Sequence, residues 1–337
     1  KHPHAARCDA ASALHYPIFH QVGGILVNGI DVLMACYNGA RFLPEQLISL
    51  RAQDDPCFRV VMQDDGSQDA TPEILRQLCL ADGRFTLGEE QGRGFGAIGN
   101  FWSLMRQTGA PYIALCDQDD FWHPDRLSRG RQAMERAERQ YGEKTPILVH
   151  SDCALIAADG HSLHSSFFDH QGWDRSAITF KRLLVQNNVT GCTMLMNQPL
   201  RQLALAHGDP AQMVMHDWFL ALTAAAFGQV VMVDAPLVDY RQHGANVKGA
   251  SQTGLMCRGV KALGMWEKGK ARVALTYRQA ERFRDMYGDA LPDRVRKNIA
   301  AYLATEKMGK IQRVLTVQKQ GYTMQSAVTR LGQMVFG

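Results

Sequence analysis

The chain has 337 residues, 46% of them hydrophobic and 21% charged, with a formal net charge of +4. That composition suits an ordinary globular protein of one large or two modest domains, and no apolar run approaches the ~18 residues of a transmembrane helix. Eight scattered cysteines without a C-x-x-C pair argue for a reducing cytoplasm rather than a disulfide-framed secreted domain.

Lys1–Gly24 is rich in His and Ala and lacks the apolar stretch of a signal peptide, so residues 1–28 are expected to be a poorly structured leader. Ile30–Cys36 is a compact apolar run of β character ending at the turn Tyr37-Asn38-Gly39. A helix follows, with Pro44 and Glu45 suited to its first turn and Phe42, Leu43, Leu47, Ile48 and Leu50 near one face. Phe58–Met62 reads as a second strand leading into Gln63-Asp64-Asp65-Gly66-Ser67, and Thr71-Pro72-Glu73 as the capped start of a second helix. Phe85–Leu87 is a short third strand, followed by the Gly-rich stretch Gln91–Gly99 and an amphipathic helix through Met105.

The fourth strand, Tyr112–Leu115, runs into Cys116-Asp117-Gln118-Asp119-Asp120-Phe121-Trp122. Three carboxylates within four residues repel one another and cost desolvation, which a joining cation relieves. Asp117 and Asp119 form a D-x-D pair of oxygen ligands suited to Mg²⁺ or Mn²⁺; an acidic turn capping the next helix is the plainer alternative. Four strands alternating with helices predict a parallel, doubly wound α/β sheet whose strand ends converge on one ligand edge. The first βα turn has no G-x-G-x-x-G fingerprint, which argues against a nicotinamide enzyme.

Beyond the helix over 126–141, Pro146–Val149 reads as a fifth strand ending in His150-Ser151-Asp152. Gln186–Met194 mixes amides around Gly191, His216-Asp217 opens an Ala-rich buried helix, and Val230–Val233 and Leu237–Tyr240 read as two short strands. From about residue 254 the pattern turns basic, helical and poor in β-formers. The expected division is therefore 1–28, 29–253 and 254–337. Residues 1–250 hold 21 Lys and Arg against 27 Asp and Glu, whereas 251–337 hold 16 against 6. A basic tail on an acidic body suggests contact with an anionic surface, with a solvated helical face as the alternative. It has no aromatic interleaving, so nucleic acid is not the expected partner.

Taken together, ACYNGARFLPEQLISL, QDDGSQDAT, GFGAIGNF, CDQDDFWHPDRL, NNVTGCTM, MHDWFLAL and YRQHGANVKGA, in order over residues 30–250, resemble the family 2 glycosyltransferases. The likeness is closest to the rhamnosyltransferase-like branch that builds bacterial O-antigen and capsule chains. It implies the GT-A fold, a Rossmann-like and mostly parallel sheet with helices on both faces, followed here by the basic helical region. It implies an inverting, metal-dependent transfer from a nucleotide sugar, best matched by L-rhamnose from dTDP-rhamnose with a UDP-hexose as the alternative donor, to a glycan or lipid-linked glycan acceptor. By the same resemblance Asp217 is the catalytic base, and Asp117, Asp119 and His243 are metal ligands. Cys36, Tyr37, Asn38, Asp65, Gly66, Gly94 and Asp117 are nucleotide-sugar contacts, and Gly191 lies in the acceptor loop. The family's acidic pair has His216 in its first place, and its Asn-x-Gly loop has Gly92 for Asn, with Arg93 as the substitute. The implied location is cytoplasmic, with peripheral contact on the inner membrane face. A sugar nucleotidyltransferase would need a Gly-rich triphosphate grip that CYNGARF lacks. An inactive sugar-nucleotide-binding scaffold would leave Asp117, Asp119, Asp217 and His243 without a purpose.

Overall fold

The computed structural model describes residues 21–22, 25–26, 29–243 and 261–336. Most of the expected leader, the start of the basic region near 254 and the end of the YRQHGANVKGA stretch lie outside the described residues. Ahead of the main sheet, Gln21–Val22 and Ile25–Leu26 pair antiparallel.

The central sheet begins with β1 (Ile30–Cys36), β2 (Phe58–Asp64), β3 (Phe85–Leu87) and β4 (Tyr112–Asp117), joined by α1 (Leu43–Arg51), α2 (Thr71–Ala81) and α3 (Gly96–Arg106). These four strands lie parallel in the order β3-β2-β1-β4. Beyond the acidic loop come β5 (Phe121–Trp122), α4 (Arg126–Tyr141), β6 (Ile147–Ala157), β7 (Ser162–His164), α5 (Phe167–Gln171) and α6 (Phe180–Val185). β8 (Leu195–Asn197), α7 (Gln198–His207), α8 (His216–Phe227) and β9 (Gln229–Gln242) complete the sheet. β8 inserts antiparallel between β4 and β6, β6 and β9 are parallel, and β5 closes the far edge against β9.

The sheet is buried on both faces, as parallel strands flanked by helices must be. Along β1, Ile30, Val32, Met34 and Cys36 enter one core with residues of α1, α2 and α4, while Leu33 enters the other with α3, α7 and α8. Each such fully buried aliphatic contributes about 1.5–3 kcal/mol. Asp31, inside that apolar run, is tolerated because Arg59 clamps both its oxygens at 2.7 and 2.9 Å and Thr108 donates to it. α9 (Lys261–Tyr287), α10 (Asp293–Glu306), α11 (Lys310–Gln320) and α12 (Ala327–Phe336) follow. Val273, Tyr277, Ala280, Phe283 and Tyr287 of α9 share the core that holds Phe219 and Leu220 of α8. No helix among the described residues is long and apolar enough to cross a membrane.

Four local expectations need correction. The strand predicted over 146–149 continues to Ala157, because Asp152 is buried and satisfied: it accepts N–H groups of Cys153, Phe167 and Phe168 and the Ser166 hydroxyl. The two strands predicted over 230–240 are one, β9, broken in pattern by register shifts between Val233, Pro236 and Asp239. Thr71 does not cap α2; the cap position is Ala70, and Thr71 Oγ1 accepts the Gly39 N–H at 2.8 Å. Ile48 of α1 faces water rather than the core.

Candidate active site

The carboxyl ends of β1, β2 and β4 meet at one edge, and their turns are fastened to one another. Gln118 takes the Tyr37 N–H on Oε1 at 2.8 Å and returns a bond from Nε2 to the Tyr37 carbonyl at 2.7 Å. Gly39 makes room for this clamp, since a Cβ there would lie 2.0 Å from Gln118 Oε1. Asn38, in the left-handed region at φ 48°, donates its N–H to Ser67 Oγ and accepts the Gln68 N–H on Oδ1. Asn38, read above as a nucleotide contact, is therefore engaged in holding the turn. Cys36 and Tyr37 line the cleft, the thiol buried and pushed up by loss of water and by Asp64 and Asp119.

Asp64 caps its own turn, accepting the Gly66 and Ser67 N–H groups at 3.0 Å. Asp65 reaches across to the Gly-rich loop and accepts the Phe95 and Gly96 N–H groups at 2.7 Å, one on each oxygen. Gly66 and Gly94 have φ of 94° and 67°, which only glycine adopts without strain, and both line the cleft beside Asp65. Each Asp65 oxygen keeps a second lone pair for a ligand N–H.

The acidic loop divides. Asp117 and Asp119 face the cleft, whereas Asp120 is fully buried beside Cys192 and accepts the Arg241 N–H at 3.1 Å. Burial, then Asp119, then Asp217 push the Asp117 carboxyl up to about 7. Asp119 Oδ2 lies 2.7 Å from His243 Nε2. The nearly inaccessible Arg241 holds this arrangement, with Nε on the Asp119 carbonyl at 2.8 Å and its guanidinium paired to Glu45.

Asp119 and His243 meet directly and Asp117 shares the cleft with Asp119; carboxylate oxygens and an imidazole are ligand types that suit Mg²⁺ or Mn²⁺, although the three do not gather their ligand atoms within 4.8 Å of one another. A second grouping, Asp117, Asp120 and Cys192, has its ligand atoms within 4.8 Å. It fits a hard cation poorly, because burial and nearby acids keep the Cys192 thiol protonated.

Asp217, also on the cleft, sits in the first turn of α8, and its Oδ1 accepts the Trp218 N–H at 2.6 Å. Gly191 lies against it: a Cβ there would meet His216 Nε2 at 3.3 Å and Asp217 Cβ at 3.6 Å. His216 is buried with its ring 4.6 Å from Phe101, and Trp218 is a core residue donating Nε1–H to the Leu183 carbonyl at 2.6 Å. Val214 N–H bonds Gln279 Oε1 and Arg282 bonds the Gln212 carbonyl, so α9 anchors the segment leading into Asp217. The whole cleft has a volume of about 1140 Å³, and Arg272, Leu275 and Thr276 of α9 form part of its wall.

The cleft thus gathers Cys36, Tyr37, Asp65, Gly66, Gly94, Asp117, Asp119, Gly191 and Asp217, with His243 on Asp119. Sequence reading passed over Gln118, Arg241 and Arg272. The first two stand inside the quoted motifs beside residues that were singled out; Arg272 sits in a helix with no local signal.

Residues 31–142 match the family model described as glycosyl transferase family 2, so the chain carries a domain of that family there. The uncharacterized protein Rv1520 of Mycobacterium tuberculosis is 25% identical over 228 residues, 66% of this chain and 62% of the relative. The chain thus spans about three fifths of the length of that relative. The dTDP-rhamnosyl transferase RfbG of Shigella flexneri is 25% identical over 227 residues, 65% of this chain and 74% of the relative. The crystal structure of S. aureus TarS 1–349 in complex with UDP has a TM-score of 0.53 at 13% identity, covering 91% of this chain and 88% of that one. That likeness is one of fold, and it agrees with the GT-A architecture expected from the motifs.

Proposed function

We propose, from the family 2 glycosyl transferase domain over residues 31–142, that the chain transfers a sugar from a nucleoside diphosphate to a hydroxyl of a surface-glycan precursor. The observation that carries the reading is one cleft lined by Asp117, Asp119 and Asp217, with Asp217 near enough to help raise the Asp117 carboxyl. A single displacement needs both functions in one cleft: the acceptor oxygen attacks C1 as the C1–O bond to the diphosphate breaks, the leaving group takes the electron pair, and Asp217 receives the acceptor's proton. Asp117, Asp119 and His243 are the residues that would hold a divalent cation, whose contribution is to neutralise charge developing on the diphosphate. Cys36, Tyr37, Asp65, Gly66 and Gly94 serve the nucleotide, and Gly191 the acceptor. The donor reading is dTDP-rhamnose, supported by the motif resemblance and by the relative named dTDP-rhamnosyl transferase. Asp65 offers the same acceptor to the N3–H of thymine and of uracil, so it does not by itself choose between them.

The basic C-terminal region is read as a peripheral contact with anionic membrane on the cytoplasmic side. Ile311, Leu315 and Leu331 are exposed there, and the chain has five basic and no acidic residues after Glu306.

The test is saturation-transfer NMR of the protein against dTDP-rhamnose, UDP-glucose, UDP-N-acetylglucosamine and GDP-mannose, with and without Mg²⁺. Mg²⁺-dependent binding of dTDP-rhamnose, lost in Asp119→Ala, is the expected result. Preference for a UDP-sugar discards the rhamnose and keeps the mechanism; binding of none overturns the enzyme.

A further inference from the structure

The acceptor half of the cleft contains a cation that the reading above does not use. Arg272 of α9 lines the wall with Leu275 and Thr276, on the helix that anchors the segment leading into Asp217. Among the described residues it has no hydrogen-bond or ion-pair partner, unlike Arg59, Arg131, Arg175 and Arg241, each of which meets a carboxylate. Arg272 is exposed at the cleft surface, and partial loss of water shifts its guanidinium down from its ordinary value. The same half holds two deeply buried amides, Gln186 and Asn188, whose Nε2 and Oδ1 have no partner among the described residues. Nearly every buried polar group in a folded protein is paired, so unpaired amides beside a cleft suit the hydroxyls of a sugar. The nucleotide half is different, with each Asp65 oxygen already held by one backbone N–H and the Asp117 carboxyl raised by its neighbour Asp119.

A guanidinium that pairs with no carboxylate, in a cleft also lined by Gln186, Asn188, Leu275 and Thr276, is suited to a planar or tetrahedral oxyanion through paired N–H donors. We propose that Arg272 is a specificity-determining residue of the acceptor site, and that the acceptor carries an anionic group, phosphate or carboxylate, next to the sugar that receives the transfer. This rests on the glycosyltransfer reading. It goes beyond that reading in giving the acceptor's charge, and in making α9 part of the binding site rather than an appendage to it.

The experiment uses the full chain with Mg²⁺, dTDP and UDP, so that nucleotide binding is seen in the same sample. Saturation transfer is recorded to glucose 1-phosphate, glucuronic acid and methyl α-glucoside. The expected result is binding of at least one anionic sugar at least ~10-fold tighter than the neutral glucoside, since a charge-assisted pair contributes on that order. That preference is lost in Arg272→Gln and partly kept in Arg272→Lys, while both variants bind nucleotide like the parent. Preference for glucose 1-phosphate assigns a phosphorylated acceptor, and preference for glucuronic acid an acidic sugar. Equal binding of all three probes, binding of none, or an anion preference that survives Arg272→Gln overturns the proposal. Loss of nucleotide binding by the parent chain is a different failure, that of the glycosyltransfer reading itself.

Discussion

The two halves of the cleft are built in opposite ways. Among the described residues before Asp120, no buried side-chain nitrogen or oxygen is left without a hydrogen-bond partner. Gln46, Gln63, Asp64, Asp65 and Asn100 are all buried and all paired, mostly to backbone or to each other within the β1, β2 and β4 turns. Later in the chain Gln186 and Asn188, which line the cleft, and His150, which does not, are buried with open valences. The proposed nucleotide half is thus paired before any ligand arrives as far as Asp119, and Asp120 Oδ2, deeper in the same loop, is left open. The acceptor half leaves polar groups to be completed, by a ligand or at a cost. Substrate variety within one fold is easier to obtain from a half of the second kind, since changing it does not dismantle the turns proposed to hold the diphosphate.

The largest expected effect separates the two halves by chemistry. Asp217→Asn keeps the side chain's shape and its acceptor for the Trp218 N–H, but it cannot take a proton. Turnover should fall by roughly 10²–10⁴-fold, the usual contribution of a positioned base, with nucleotide affinity within twofold of the parent. A comparable loss of nucleotide binding would show the halves to be one coupled unit, and the contrast drawn above would fail.

Much of the first half was legible because its motifs are contiguous. CYNGA, QDDGS and CDQDD each put their functional and turn-forming residues within a few positions, and parallel β-strands bring such ends to one edge without further information. The division of labour inside them was not legible. Asn38 and Asp65 carry the right chemistry for a ligand, and the fold applies both to backbone N–H groups; Gln118, between two acids, is the clamp. The second half was read with wrong boundaries for a physical reason. His150-Ser151-Asp152 looks like the polar end of a strand, yet all three are buried, because α5 caps on Asp152 from 14 to 16 residues away. β8, only three residues long and antiparallel, has no periodicity to detect. Arg272 reaches the cleft through helix packing alone, which no local pattern records.

The next effect tests whether incompleteness in the second half has an energetic cost. Burial pushes the His150 imidazole down to about 4, so the folded protein holds it neutral. In the unfolded chain it accepts a proton below its ordinary value near 6.5. Between those values the unfolded state binds more protons, so stability is full above about pH 6.5 and is lost as pH falls toward 4. The loss from this one group is about 3 kcal/mol. Urea midpoints at pH 7 and pH 5 should capture about 2 kcal/mol of it; in His150→Leu the part of the slope due to this residue should vanish. An unchanged slope would remove His150 from the account.

A smaller effect should touch the first half only. In Gly39→Ala the new Cβ displaces the Gln118 amide and breaks both its bonds to Tyr37, for about 1–2 kcal/mol. Nucleotide affinity should drop several-fold, while binding of acceptor-side sugar probes stays as it was. Because Gln118→Ala already removes the clamp, the double variant should be little worse than either single one. Additive losses would mean that Gly39 is required for a reason other than the clamp.

The smallest effect lies furthest from the cleft and asks what the basic helices add. On α11 Ile311 and Leu315 are one turn apart and both exposed, with Lys310 and Lys319 on the same short helix. Two apolar side chains entering a lipid interface contribute a few kcal/mol at most, and each lysine about 1 kcal/mol near an anionic surface. Ile311→Ser with Leu315→Ser should therefore weaken, without abolishing, flotation with vesicles of phosphatidylglycerol and phosphatidylcholine. Raising salt to 0.5 M should release most of what remains, because screening removes the electrostatic share and leaves the apolar one. Turnover on a water-soluble acceptor should be unchanged. If the double variant loses that turnover as well, the C-terminal helices act on the acceptor half through α9 rather than on a membrane, and the basic face is packing support for the site.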